Sequence, residues 1–228
     1  MHSSPRRRAL PTVAWRGAGA LGALLGLALA AGPLHGQGPD SPAAEDAWWR
    51  ELGGPGPGLH VIEVDSTYRI RGHDYDDLLR EMRRKGPGTD EIGTRLGVHV
   101  ARWRWSYDYW TGGRNGRCRV TDVSVALRSI IVLPEWVREP GASADLVRRW
   151  PRFRDALVEH EMGHRNRARA QGVVLWQSLL GLQAETCEEL RTLVSETATR
   201  VVSEGEAAQL EYDRDTAHGL RQGAVWPP

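Results

Sequence analysis

The sequence predicts an α+β fold in which a small antiparallel sheet packs on a C-terminal helical layer. Three observations predict it: β-branched and aromatic residues alternate with polar ones in the first half, the apolar spacing turns helical after Ser143, and no internal repeat is present. A chain of 228 residues suits one substantial domain and is short for two. With 26% charged and 40% hydrophobic residues, it has the balance of a folded domain with a packed core.

Leu59 to Ile70 predicts one or two short strands. Asp74 to Lys85 reads as a helix opened by an aspartate and closed by Gly86-Pro87-Gly88. From Val98 to Trp110, alternation puts Ala101, Trp103, Trp105, Tyr107 and Tyr109 on one face, opposite Arg102, Arg104, Ser106 and Asp108. Packing of that aromatic face against helices is favoured over a role in lining a cleft. The glycine-rich loop Thr111 to Gly116 leads to a second strand, Cys118 to Leu133, in an antiparallel hairpin that Pro134 ends. A short helix from Ser143 to Trp150, a long one from Pro151 to Leu182 and another from Cys187 to Tyr212 complete the chain. Proline suits a first helical turn because its missing N–H would have had no partner there.

The N-terminus divides from the rest. Residues 1–36 read as a signal peptide: Arg6, Arg7 and Arg8, an Ala/Gly/Leu run from Ala18 to Ala31, then a small-residue exit, with cleavage expected after Ala31 or Gly36. Residues 37–58, ending in Gly53-Gly54-Pro55-Gly56-Pro57-Gly58, form a linker, and 59–228 form the domain. The chain is therefore expected to be exported, periplasmic or extracellular, with no membrane association once the leader is removed. The formal charge of +1 counts 30 basic and 29 acidic residues. Four of the arginines lie in the leader, leaving 26 basic against 29 acidic residues, a net of −3. That balance has no electrostatic footprint for nucleic acid. Cys118 and Cys187 allow a single intramolecular pairing, which export favours as a disulfide.

The chemistry lies in His160-Glu161-Met162-Gly163-His164. Histidines four apart share one helical face, so both imidazoles reach one ion, while the intervening glutamate stands beside the open coordination position. This is the HExxH arrangement of zinc peptidases, a zincin-like helix. His160 and His164 hold Zn2+, and Glu161 takes a proton from water and passes it to the leaving amine. Phe153, Ala156 and Leu157 put the motif on the inward-facing stripe. The third ligand stays open on chemistry alone. Arg165 to Ala170 lacks the extended metzincin pattern, leaving Glu185, Glu188 and Glu189 or the segment Tyr212 to Gly219. Arg165, Arg167 and Arg169 read as a solvated helix face or as partners of a substrate carboxylate.

These residues, with Tyr68-Arg69-Ile70-Arg71-Gly72, the Trp103 to Tyr107 strand, Ile131 to Trp136, and Tyr212-Asp213 with Thr216 to Gly219, resemble the bacterial domain-of-unknown-function 922 family, predicted secreted zinc-dependent proteases. The resemblance spans Tyr68 to Ala224. It implies His218 as third ligand with Asp213 as the alternative, fits the Cys118 and Cys187 pairing, and suggests Tyr212 as a hydrogen-bond donor to the oxyanion. The expected activity is hydrolysis of a peptide or protein substrate. The rivals are an exported binding or scaffold domain with a structural zinc, and a cell-wall amidase. Nothing in the sequence specifies an oligomeric state.

Overall fold

The computed structural model describes residues 7–9, 56–90, 93–112 and 116–228. In chain order they form β1 (Arg7–Ala9), β2 (Gly58–Gly72), α1 (Tyr75–Lys85), β3 (Thr89–Asp90), β4 (Gly93–Thr94), β5 (Val98–Thr111), β6 (Cys118–Arg138), α2 (Ala144–Leu179), β7 (Gln183–Ala184), α3 (Cys187–Thr216) and a 3-10 turn, Leu220–Gln222. Apart from Arg7–Ala9 and residues 56–58, the expected leader and linker lie outside the described residues.

The fold is α+β, with one correction: the sheet is mixed rather than antiparallel. Its main path runs β1-β5-β6-β2. β5 and β6 form the expected antiparallel hairpin, from Val98 opposite Val132 to Thr111 opposite Cys118. β2, a single strand of 15 residues, runs parallel to β6 from Gly58 opposite Ser124 to Gly72 opposite Arg138. A parallel pair needs a long crossover, and α1 with β5 supplies it here. Strand periodicity reports faces, not direction, so the sequence carried no sign of this.

Two prolines behave differently from expectation. β6 continues through Pro134 to Arg138, because its ladder with β5 ends at Val132 and only β2 remains alongside. A strand proline is tolerated where one edge needs no donor. Pro151 lies inside α2 instead of opening a new helix. Losing a helical hydrogen bond costs about 3 kcal/mol, but Leu146 and Trp150 before it and Phe153 and Leu157 after it enter one apolar cluster. Burial at ~1.5–3 kcal/mol per large apolar side chain outweighs that loss.

α1 forms as expected. The Asp74 side chain accepts from the Asp77 N–H at 2.9 Å, and Leu78 and Met82, one turn apart, are fully buried. α3 opens with a reciprocal cap in which Thr186 Oγ1 accepts from the Glu189 N–H and the Glu189 carboxylate accepts from the Thr186 N–H, both at 3.1 Å. Cys118 and Cys187 are joined, tying the start of β6 to the start of α3. Closing that loop contributes about 4 kcal/mol in the chain-entropy account.

The core is divided, and the division positions the site. One cluster packs Trp103, Trp105 and Tyr107 of β5 and Val123 and Val125 of β6 under Leu175, Leu179, Leu190 and Val194. The aromatic face of β5 is therefore core. The other gathers Ile70, Leu78, Met82, Leu133, Trp150, Phe153 and Leu157. α2 spans both, and between its two apolar stretches lie four buried polar residues, His160, Glu161, His164 and Arg165. Such groups are costly to bury unless they are partnered. The apolar ends hold α2 against the sheet, so its polar middle must find its partners inside the protein.

Candidate metal centre

His160 and His164 project from one face of α2, and each ring is anchored from behind by an amide. His160 Nδ1 lies 3.0 Å from Gln222 Oε1, and His164 Nδ1 lies 2.6 Å from Gln209 Oε1. An amide oxygen only accepts, so each Nδ1 carries a proton. The two Nε2 atoms lie 3.3 Å apart, and both approach Asp213 Oδ1, at 3.3 Å from His160 and 3.0 Å from His164. Two ring nitrogens and a carboxylate oxygen converging on one point repel unless a proton or a cation joins them. These three donors all lie within 4.8 Å of one another, and the set fits a tetrahedral ion with one position left open.

Asp213 therefore stands where the alternative third ligand was expected. His218, the first choice, lies beside that carboxylate, its Nδ1 3.6 Å from Asp213 Oδ1, with its side chain 39% exposed. The helix end explains this placement: Asp213 sits in the last turn of α3, whereas His218 follows the cap at Ala217, and both Ala217 and His218 have left-handed backbones. Glu185, Glu188 and Glu189 are engaged elsewhere, with Arg117, with Arg191 and in the α3 cap.

Glu161 is buried and lies outside the three-donor group, on the sheet side. A Cβ on Gly97 would come within 2.8 Å of Glu161 Oε1, so glycine lets the chain just before β5 pass close to the carboxylate. Burial pushes the Glu161 carboxyl up, against the pull of the two histidines. Tyr212 supports the rings: it stacks on His160 with centroids 5.2 Å apart and meets His164 edge-on at 4.9 Å. Its hydroxyl donates to the His160 carbonyl oxygen at 3.3 Å and accepts from Gln222 Nε2 at 3.2 Å. Those bonds point the hydroxyl at α2 and the final turn.

A family model for a bacterial protein of unknown function (DUF922) matches residues 65–219. The chain belongs to the DUF922 family. The match takes in His160, Glu161, His164, Asp213 and His218 and confirms the resemblance drawn from the motifs. No curated protein and no solved structure matches this DUF922 chain.

Of the arginines after the motif, Arg167 and Arg169 are exposed, as a solvated helix face would have them, and Arg165 is not. Arg165 is 3% exposed, and its guanidinium meets Asp65 Oδ1 at 2.5 Å, the Val64 carbonyl oxygen at 3.3 Å and Ser129 Oγ at 3.2 Å. Arg167 lies over the Tyr212 ring at 3.7 Å, and Arg169 pairs with Glu63. Beside them His99 stacks parallel to His164, and burial pushes its pKa down to about 4, so its ring is neutral. Gln209, Gln222, Gly97 and His99 escaped sequence reasoning. Only Gln209 carried a signal, since it precedes Asp213 by four residues on one helix face.

Without metal, the DUF922 site gives stability a pH dependence of definite sign. Burial opposes charge on His164, but its bonds to Asp213 and Gln209 outweigh it and raise the pKa above the ordinary 6.5. Burial likewise opposes charge on Asp213, yet the two histidines hold its carboxyl well below the ordinary 3.8. The histidine contribution is present below 6.5 and is lost as the pH rises through the raised value. The aspartate contribution is present above 3.8 and is lost as the pH falls through the lowered one. Metal-free protein should therefore melt at a lower temperature at about pH 8 than at about pH 5.5. Added zinc should protect more at the higher pH, because binding requires deprotonated ligands. Thermal melts at both pH values, with zinc and with chelator, check the two opposite signs.

Proposed function

We propose that this protein is an exported zinc-dependent peptidase of the HExxH type, with His160, His164 and Asp213 as metal ligands and Glu161 as general base. The observation that carries the reading is the pair of imidazoles whose Nδ1 atoms are held by Gln222 and Gln209 while both Nε2 atoms face Asp213 Oδ1. Such back-side hydrogen bonds fix the tautomer that a metal requires. When bound, zinc supplies a Lewis acid that polarises a carbonyl and acidifies water at neutral pH.

The chain's own residues supply the rest. Glu161, buried and with its pKa raised, accepts a proton from the attacking water and returns it to the leaving nitrogen. Tyr212 and Gly163 keep the His160 ring in place. Export is supported by the leader-like N-terminus and by the Cys118–Cys187 disulfide, which persists in oxidising compartments. Among the described residues, no helix is long and apolar enough to cross a membrane.

Metal analysis and hydrolysis assays test the reading. The purified chain should hold one zinc. Asp213→Ala should lose affinity by about 100-fold or more, while His218→Ala keeps its metal. Casein should be cleaved in a chelator-sensitive manner, and cleavage of peptidoglycan fragments alone would move the assignment to a cell-wall amidase. A zinc-replete chain without bound metal, or one whose fourth coordination position is closed by protein, would exclude the peptidase.

A further inference from the structure

A cavity of about 670 Å³ lies between the first turns of α2 and residues 222–228. Arg148, Arg149 and Arg152 line it, with Asp145 as the one carboxylate side chain, and Phe153, Ala156 and Val225 supply its apolar part. The helical repeat puts the cations there. Residues 145, 148, 149 and 152 recur at intervals of three and four on one flank of α2, while Leu146 and Trp150 turn into the core. Gln222 also lines the cavity, and its Oε1 lies 3.0 Å from His160 Nδ1. The cavity therefore adjoins the metal centre on the Nδ1 side of His160, away from the converging Nε2 atoms.

Partners within the protein do not account for three guanidinium groups. Arg148 and Arg149 share Asp145, which also accepts from the Tyr75 hydroxyl. Arg149 donates in addition to the Pro228 carbonyl oxygen at 3.0 Å. Arg152 is exposed, and its side chain has no hydrogen bond or ion pair among the described residues. Ion pairs as exposed as those to Asp145 add little to stability, so folding gains little from gathering these cations. An anion that bridges them gains charge-assisted bonds in the fork geometry that guanidinium offers to carboxylate and phosphate. A bare inorganic ion would leave most of the cavity unfilled, and cavities of this size suit small organic molecules.

We propose that this cavity binds a small organic anion, a carboxylate or phosphate ester with an apolar body, and that Arg152 is its principal partner. Arg148 and Arg149 stand beside the charged group, and Phe153, Ala156 and Val225 take the apolar body. The occupant lies against Gln222, the amide that orients His160. This site requires neither zinc nor hydrolysis, so it stands or falls apart from the peptidase reading.

Calorimetric titration with phenyl phosphate and with phthalate tests the site, on the chain as purified and again after metal removal, so that no bound ion captures the anion. Inorganic phosphate and neutral benzamide serve as comparisons. At least one organic anion should bind with one-to-one stoichiometry, about tenfold or more tighter than inorganic phosphate, and benzamide should not bind. The tighter of the two identifies the head group. Arg152→Ala should weaken that binding about tenfold or more, and Arg152→Lys should recover only part of the loss, because an ammonium keeps the charge without the planar fork. Val225→Trp fills the cavity without removing a cation and should reduce the organic anion to the level of inorganic phosphate. Both positions are exposed, so the variants should melt within about 2 °C of the wild type without ligand. Equal binding of inorganic and organic phosphate, or binding that Arg152→Ala and Val225→Trp leave unchanged, overturns the inference and makes the arginines a solvated helix face. So does a Kd above about 10 mM for both organic anions.

Discussion

Glu161→Gln protein should bind one zinc per chain, as the proposal expects of the wild type, and hydrolyse casein more slowly by about 10³-fold or more. The argument is one of separation. Glu161 lies outside the group formed by His160, His164 and Asp213, so removing its charge leaves every proposed ligand in place. The amide is nearly isosteric and keeps the space beside Gly97, where a Cβ would come within 2.8 Å of the carboxylate oxygen. What disappears, on the proposed mechanism, is a group that acts twice, accepting a proton from the attacking water and then donating it to the leaving amine. General acid–base groups contribute about 10²–10⁴-fold, and the double use puts the loss in the upper part of that range. KM should barely change. Zinc content by atomic emission, measured on the same sample as the rate, keeps metal loss from being mistaken for loss of the base. Activity within tenfold of wild type would remove Glu161 from the mechanism.

Gly163→Ala is expected to destabilise the protein, against the ordinary rule for a glycine inside a helix. At an exposed helical position that change is favourable by about 1 kcal/mol. Here the new Cβ would lie 2.0 Å from the Tyr212 hydroxyl oxygen and 2.4 Å from its ring carbon Cζ. Tyr212 has little freedom to retreat, since it is buried, stacked on His160 and covered by Arg167. Overpacking of this kind costs about 1–3 kcal/mol, which outweighs the propensity gain, and the melting temperature should fall by about 5 °C. Zinc affinity should weaken about tenfold, because the displaced ring supports His160 and its hydroxyl accepts from Gln222. A melting temperature equal to or above that of wild type would refute the packing account. The glycine of the HEMGH motif thus serves α3, not the metal directly.

Much of the fold was legible because local patterns decide it. The Asp74 cap, the Leu78 and Met82 spacing and the buried aromatic face of β5 each depend on residues within a turn or a pleat of one another. Pro134 and Pro151 misled for the converse reason: a local penalty was overruled by distant contacts, the missing strand neighbour in one case and the apolar cluster around Phe153 in the other. The direction of β2 was illegible because a half-buried strand has the same alternation whichever way it runs.

The sequence by itself determined the core of the site, since helical geometry alone brings His160 and His164 onto one face with Glu161 beside them. It also determined the only possible pairing of Cys118 with Cys187. Only the tertiary structure set Asp213 against both ligand rings with His218 beside it, brought in Gln209 and Gln222 behind the rings, turned the Tyr212 hydroxyl inward and laid His99 against His164. Those contacts join residues 45 to 65 positions apart in the chain. At such separations no spacing rule operates, and the outcome depends on how α3 and the final turn pack against α2.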